Sequence, residues 1–325
     1  MMNTVLCEKC DDAAPITPSR PRVMKAVVKK CCLFFIVLCC SFSMVWIAAP
    51  PKEAEASDAR GHIYPPDGTT AFIIYGRHKT GNKVYKDGKL VTRDGDYEMN
   101  YSIVRPAYYK TLGSVGTTIQ ALIPFGDLSV RSSPTGRRQS TSGLMDPTLI
   151  LQVWPIMDKE NQFWLTFGEW ITFPLGDYDH NHLSLGSNRW SFKSLVAVVK
   201  GWGNFYFDFE PSIEFFTDND EFGATKADQD MDPIFRIDTH ISYDFTPQFR
   251  LSLDYYYDRG GEKSYWDRTS ATRIYSDEKD NHAVQVSAFL QLAPKHQLLV
   301  QYLRELEVEN GFKTSMVGFR YFYVF

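Results

Sequence analysis

Beyond residue 40 the chain has no cysteine; all six, Cys7, Cys10, Cys31, Cys32, Cys39 and Cys40, lie within the first 40 residues. That excludes a disulfide framework from the remaining chain, and the one CxxC pair, Cys7 and Cys10, supplies only two of the four ligands a structural zinc takes. An excess of one charge is also lacking, since 35 Lys and Arg stand against 39 Asp and Glu for a net charge of −4. No polyanionic or polycationic partner follows from that balance. Basic patches interleaved with aromatics, which would point to nucleic acid, are absent. So are a glycine-rich phosphate loop and a GxSxG nucleophile turn, and no cofactor is expected. Mean hydropathy is −0.29, which excludes a bundle of membrane helices. It does not exclude a transmembrane barrel, whose inner face and loops are polar.

Aromatics, by contrast, are plentiful: 18 Tyr, 23 Phe and 7 Trp make 15% of the chain. Such a content fits lipid-facing strands with interfacial girdles, and would also fit a carbohydrate-binding all-β protein. The single long apolar run is residues 31–49, preceded by Lys25, Lys29 and Lys30 and followed by Ala54-Glu55-Ala56. A basic start, an apolar centre and a small-x-small site predict a secretory signal cleaved near Ala56. Its nineteen residues would also be long enough for an uncleaved anchor. Residues before Met24 carry acids and prolines unlike a signal start, so Met24 is a candidate initiator. The expected division is 1–56 as extension plus signal and 57–325 as the folded body.

Period-two alternation predicts twelve strands, near 69–79, 97–110, 114–125, 145–156, 162–174, 190–200, 205–217, 233–245, 249–259, 283–292, 297–307 and 313–325. Most exceed the roughly 5–6 residues common in globular sheets and suit a tilted membrane strand. Short connections such as Lys110–Gly113 and Gly201–Asn204 alternate with long ones such as 126–144 and 260–282. That rhythm is the pattern of an up-and-down transmembrane β-barrel of about twelve antiparallel strands, with tight turns at one rim and long loops at the other. Pro106, Pro147 and Pro211 each lack a ladder donor, so a bulge or gap is expected at each.

The last strand places Val317, Phe319, Tyr321, Tyr323 and Phe325 on one face. A chain ending in such a strand resembles the C-terminal assembly signal of bacterial outer-membrane barrels, here Tyr321, Tyr323 and Phe325. The resemblance implies a barrel-assembly machinery as partner, with outer-membrane lipid and lipopolysaccharide around the folded protein.

Polar faces concentrate charge in three neighbouring strands: Asp208, Glu210 and Glu214; Arg236, Asp238, His240 and Asp244; Asp254. Arg320 adds a base from the last strand. With apolar faces turned to lipid these nine line the lumen, either as a salt-bridged filling or along a solute path. Asp238, His240 and Ser242 share one face and suggest a hydrolase triad, but i and i+2 lie about 6.5–7 Å apart on a strand, too far for its hydrogen bonds. No catalytic and no metal-ligating residue is expected. Asp177–His182 and the acidic stretch 218–232 could meet a divalent cation, though neither has regular ligand spacing, and solvated loops explain both.

Three segments carry a further resemblance: Gly143-Leu144-Met145-Asp146-Pro147, Phe173-Pro174-Leu175-Gly176-Asp177-Tyr178-Asp179, and Leu185-Gly186-Ser187-Asn188-Arg189-Trp190-Ser191-Phe192. Together they are similar to the secreted family named after the meta-cleavage pathway of phenol degradation. Met145 stands where that family usually has Gly, and Leu175 where it often has Thr. Gly143, Asp146, Pro147, Pro174, Gly176, Tyr178, Gly186, Asn188 and Trp190 are the matching positions. The family resemblance implies a barrel that takes up small hydrophobic or aromatic compounds. On physical grounds Gly176 and Gly186 would permit tight turns at the membrane rim, and Tyr178 and Trp190 suit the interface. A structural or surface-interaction barrel and a membrane-embedded lipid hydrolase are the competing readings.

Overall fold

The structure, a computed structural model, describes residues 57–133, 136–267, 272–276 and 278–325. The predicted signal, Met24, the Ala54-Glu55-Ala56 site and all six cysteines lie outside the described residues.

Twelve antiparallel strands close a barrel. They are β1 (Thr70–Lys86), β2 (Asp96–Leu112), β3 (Val115–Arg131), β4 (Thr148–Asp158), β5 (Phe163–Thr172), β6 (Ser191–Trp202), β7 (Phe205–Phe216), β8 (Ile234–Thr246), β9 (Phe249–Gly260), β10 (Lys279–Ala293), β11 (His296–Glu307) and β12 (Gly311–Val324). Each pairs with its sequence neighbours, and β12 returns to β1 in register from Ala71↔Val324 to Thr80↔Ser315. The seam ends with the Phe325 N–H donating to the Thr70 carbonyl at 3.0 Å. Closure leaves no open edge, as backbone polar groups in lipid require.

Alternation sets the faces as expected, apolar outward. Along β8 the side chains of Phe235, Ile241, Tyr243 and Phe245 are exposed, while Arg236, Asp238, His240 and Ser242 are buried. On β12 Val317 and Phe319 point out and Thr314 and Met316 point in. The strand whose sequence leaves both faces equally apolar, β5, turns Phe167 out and Trp164 and Thr166 in.

Strands β1, β2 and β3 run 17 residues each, beyond the apolar stretch that predicts them. Their outward positions become polar there, so alternation of hydrophobicity stops while backbone pairing continues. His78, Asn100 and Asp127 mark that change, joined across the three strands by side-chain hydrogen bonds of 2.6 and 3.0 Å. Two of the long connections pair with each other. Asn219–Phe222, Ala227–Met231, Lys263–Asp267 and Thr272–Ser276 form a separate four-stranded sheet over the long-loop rim.

Two of the prolines make gaps, and the third, Pro147, sits at a one-residue register shift. Pairing of β6 with β7 passes from Leu195↔Ser212 to Val198↔Phe209 with the register unchanged. Pro211 removes one donor, and the neighbouring residues keep their order. Pro106 interrupts β2 and β3 in the same way, between Val104↔Ile123 and Ala107↔Gln120. Pro147 sits in the break between Gln139–Leu144 and β4, both of which pair with β3.

Candidate functional site

The interior has two unlike walls. Strands β1 to β5 turn inward Ile73, Tyr75, Tyr97, Met99, Tyr101, Ile103, Tyr109, Leu122, Ile150, Trp154 and Trp164, which with Leu183 and Leu185 of the β5–β6 connection form one buried apolar cluster. Strands β7 to β9 present a polar ladder instead. Register places Asp238 opposite Glu210 and Tyr256, His240 opposite Asp208 and Asp254, and Arg236 opposite Ser212 and Asp258. Seven of the nine residues expected in the lumen, Asp208, Glu210, Glu214, Arg236, Asp238, His240 and Asp254, are buried there. Arg236 reaches Glu214 at 3.1 Å and Asp258 at 2.8 Å. Asp244 and Arg320 are less enclosed, and both bind the segment that precedes β1.

That segment, residues 57–69, lies across the polar wall. Asp58 pairs with Arg320 at 2.5 Å and accepts from Gln301 at 2.6 Å. Arg60 donates from its backbone to Asp208 at 2.5 Å and from its guanidinium to Ser242 at 2.9 Å and Asp244 at 2.5 Å. Its guanidinium carbon stands 3.6 Å over the Tyr206 ring. His62 meets Glu210 at 2.7 Å, and Trp154 donates to the His62 carbonyl at 2.7 Å. Tyr64 then turns to the other wall and packs on Trp154 and Tyr109. At the short-turn rim Asp67 accepts from the Thr111 N–H and from Lys110. The Thr111 amide first, then Lys110, hold the Asp67 carboxyl down at about 2.

Asp238, His240 and Ser242 do not form a triad, as their spacing predicts. The structure instead joins Ser57 Oγ to His240 Nε2 at 2.8 Å and His240 Nδ1 to Asp254 Oδ1 at 2.9 Å. Ser57 belongs to an irregular segment with no periodicity, so no strand pattern places it beside His240.

At the long-loop rim the three motif segments meet at Asp146. Its carboxylate accepts from the Gly176 N–H at 3.0 Å, the Ser187 N–H at 2.8 Å and the Ser187 hydroxyl at 2.5 Å. Asp177 bonds the Leu144 N–H and carbonyl, and its own carbonyl accepts from Gly186. Gly176 and Gly186 therefore serve differently from expectation. Neither has a positive φ; they let backbones touch, since a Cβ on Gly186 would sit 2.7 Å from the Gly176 backbone. Gly143 does need its φ of +150°, and a Cβ there would collide with the Asp177 carboxylate. Asn188 and Tyr178 both bond Asn219, which ties this knot to the four-stranded sheet. Trp190 faces outward and packs on Phe173 at 5.0 Å. Pro174 lies in the knot's second segment, between Phe173 and Leu175, whose N–H donates to the Phe173 carbonyl. Arg189 is buried beside the knot, and desolvation lowers its guanidinium to about 10, still charged at neutral pH. In the neighbouring turn the Asp179 carboxylate is taken by the Asn181 N–H and His182, at 2.8 and 3.0 Å, the geometry of an Asx turn.

Residues 80–321 match the family described as "Putative MetA-pathway of phenol degradation". The chain belongs to that family. A crystal structure of an outer-membrane channel from Pseudomonas putida F1 is similar, with 28% identity and a TM-score of 0.77, covering 83% of this chain and 100% of that one. The transport unit of the autotransporter AIDA-I from Escherichia coli shares the barrel fold at 8% identity and a TM-score of 0.54, covering 87% of this chain and 97% of the other. No curated protein matches the chain in sequence. Fold and family together make this an outer-membrane barrel.

The family's three short motifs are thus one hydrogen-bonded knot that folds the β5–β6 connection inward and seats Leu183 and Leu185 against the aromatic wall. Asp146→Ala removes the acceptor of all three clamping bonds. Bonds to a charged group contribute about 1.5–3 kcal/mol each at most, enough to release the loop while the strands stay paired. Limited proteolysis is expected to cut between residues 173 and 190 about tenfold faster or more in the variant. Equal cutting rates would remove the clamp from the account.

Proposed function

We propose that the protein is a channel through which small aromatic or other hydrophobic solutes diffuse across the outer membrane. The observation that carries this reading is the pair of unlike walls. Tyr75, Tyr101, Tyr109, Trp154 and Trp164 offer rings to an aromatic body, while the opposite wall offers charged and hydroxyl groups to a polar edge. A phenol-like solute has both. The similar channel of Pseudomonas putida F1 and family membership support passage rather than a purely structural role.

We also read the protein as lacking catalysis. The Ser57–His240–Asp254 row stands among Asp208, Glu210 and Asp238, and these carboxylates would repel the oxyanion that acyl transfer must stabilise. A serine-directed phosphonate that labels Ser57 stoichiometrically would overturn this part.

The test is swelling of liposomes bearing the purified barrel. Small hydroxylated aromatics are expected to enter faster than a pentose of similar size. Rates no higher than in empty liposomes would sink the channel reading in favour of a structural or surface-interaction barrel.

A further inference from the structure

Asp238 is buried in the polar wall, and among the described residues its carboxylate finds hydrogen bonds only at Ser57: from the backbone N–H at 3.4 Å and from Oγ at 3.4 Å. Both contacts are long for a buried carboxylate, whose charge-assisted bonds usually run to about 2.7–2.9 Å. Every other polar group of Ser57 is well placed. Its hydroxyl meets His240 at 2.8 Å and its carbonyl accepts from Tyr256 at 3.1 Å. Asp58 is fixed next to it by Arg320 and Gln301. The chain is thus held at residue 57, inside the barrel, by groups from β8, β9, β11 and β12.

Directly before Ser57 stands Ala54-Glu55-Ala56, the small-x-small pattern of a signal cleavage site. We propose that cleavage falls between Ala56 and Ser57, and that the new α-ammonium of Ser57 is bound inside the barrel as the counter-ion of Asp238. The signal peptidase of the export pathway would supply the catalysis and water the atoms. Water breaks the Ala56–Ser57 peptide bond, its hydroxyl completes the Ala56 carboxyl, and its hydrogen goes to the Ser57 nitrogen, which then takes up a proton. A neutral amide N–H with one long contact becomes a cation with three donors, facing Asp238.

The surroundings favour a positive charge at this point. Asp238 lies opposite Glu210 on the ladder, and Asp208 and Asp254 flank His240. The cations acting on the group are His240 from β8 and Lys193 from β6, whose ammonium stands 4.1 Å over the Trp170 ring; His62 and Arg60 of the segment meet the neighbouring acids. His62, Arg60 and His240 each already pair with an acid, respectively Glu210, Asp244 and Asp254. Asp238 takes both of its hydrogen bonds from Ser57, at the point where cleavage would place a charge.

The experiment uses protein extracted from outer membranes. Intact mass should give a chain beginning at Ser57. Periodate oxidises the vicinal amino alcohol of an N-terminal serine to a glyoxylyl group and leaves internal serines alone. In the folded barrel this reaction is expected to run about tenfold or more slower than in the denatured chain, since it must wait for local opening. Asp238→Asn should raise the folded-state rate toward the denatured one, whereas Asp228→Asn in the loop should leave it unchanged. A mature chain starting elsewhere, oxidation equally fast in folded and denatured protein, or an unaltered rate in Asp238→Asn would each overturn the proposal. If Asp238→Asn does not fold, the mass and the wild-type protection still decide it. None of these outcomes depends on the channel reading.

Discussion

Removal of residues 57–66 is expected to raise single-channel conductance in planar bilayers several-fold and to make the pore prefer cations. The segment fills the space in front of the polar wall and brings Arg60 and His62 to it. Without it Asp208 loses the Arg60 amide, Glu210 loses His62 and Asp244 keeps Arg250 but loses Arg60, and the exposed wall carries more carboxylates than bases. Low-dielectric walls focus that negative field on permeating ions. The milder Arg60→Gln keeps the backbone bond to Asp208 and loses the ion pair to Asp244, so selectivity should shift more than conductance. Unchanged conductance in the deletion would mean that the segment does not limit the path.

Arg236→Ala should be the most damaging single substitution of the polar wall. The guanidinium is buried between Glu214 and Asp258 and bonds both. Removing it takes away a guanidinium bonded to both buried carboxylates, a loss of about 3–5 kcal/mol for a broken buried pair. The temperature at which the folded band converts to the unfolded one on a gel should fall by about 10 °C. Pairing the change with Glu214→Gln should restore part of it, because one of the two carboxylates that Arg236 bonded is then neutral. A variant as heat-resistant as the wild type would show that the wall tolerates open charge.

The barrel was legible because membrane strands leave a period-two trace on both faces at once. Phe235 to Phe245 alternate with Arg236 to Asp244, and no helix can share that pattern. Where the outer face turns polar, past His78 and Asp127, the trace fades and the strands read too short. The wall charges were legible for the same reason, since regular strands fix which way each side chain points. Ser57, Arg60 and His62 were not, because an irregular segment has no period, and their partners lie some 150 to 180 residues away. The motif around Asp146 was visible as three fragments. Their meeting depends on contacts 30 and 41 residues apart, which no local pattern encodes.

The small sheet above the long-loop rim joins the β7–β8 connection to the β9–β10 connection through Gln229↔Tyr265, Asp230↔Ser264 and Met231↔Lys263. Two surface loops that share a hydrogen-bonded register are no longer independent under variation. An insertion within either paired strand would slip the other by a residue and turn its side chains over. Length changes are free only at the hairpin ends, such as Gly223–Lys226. The outermost face of this barrel should therefore diverge among relatives by substitution in matched pairs, and its history should read as that of one element drawn from two distant stretches of the gene.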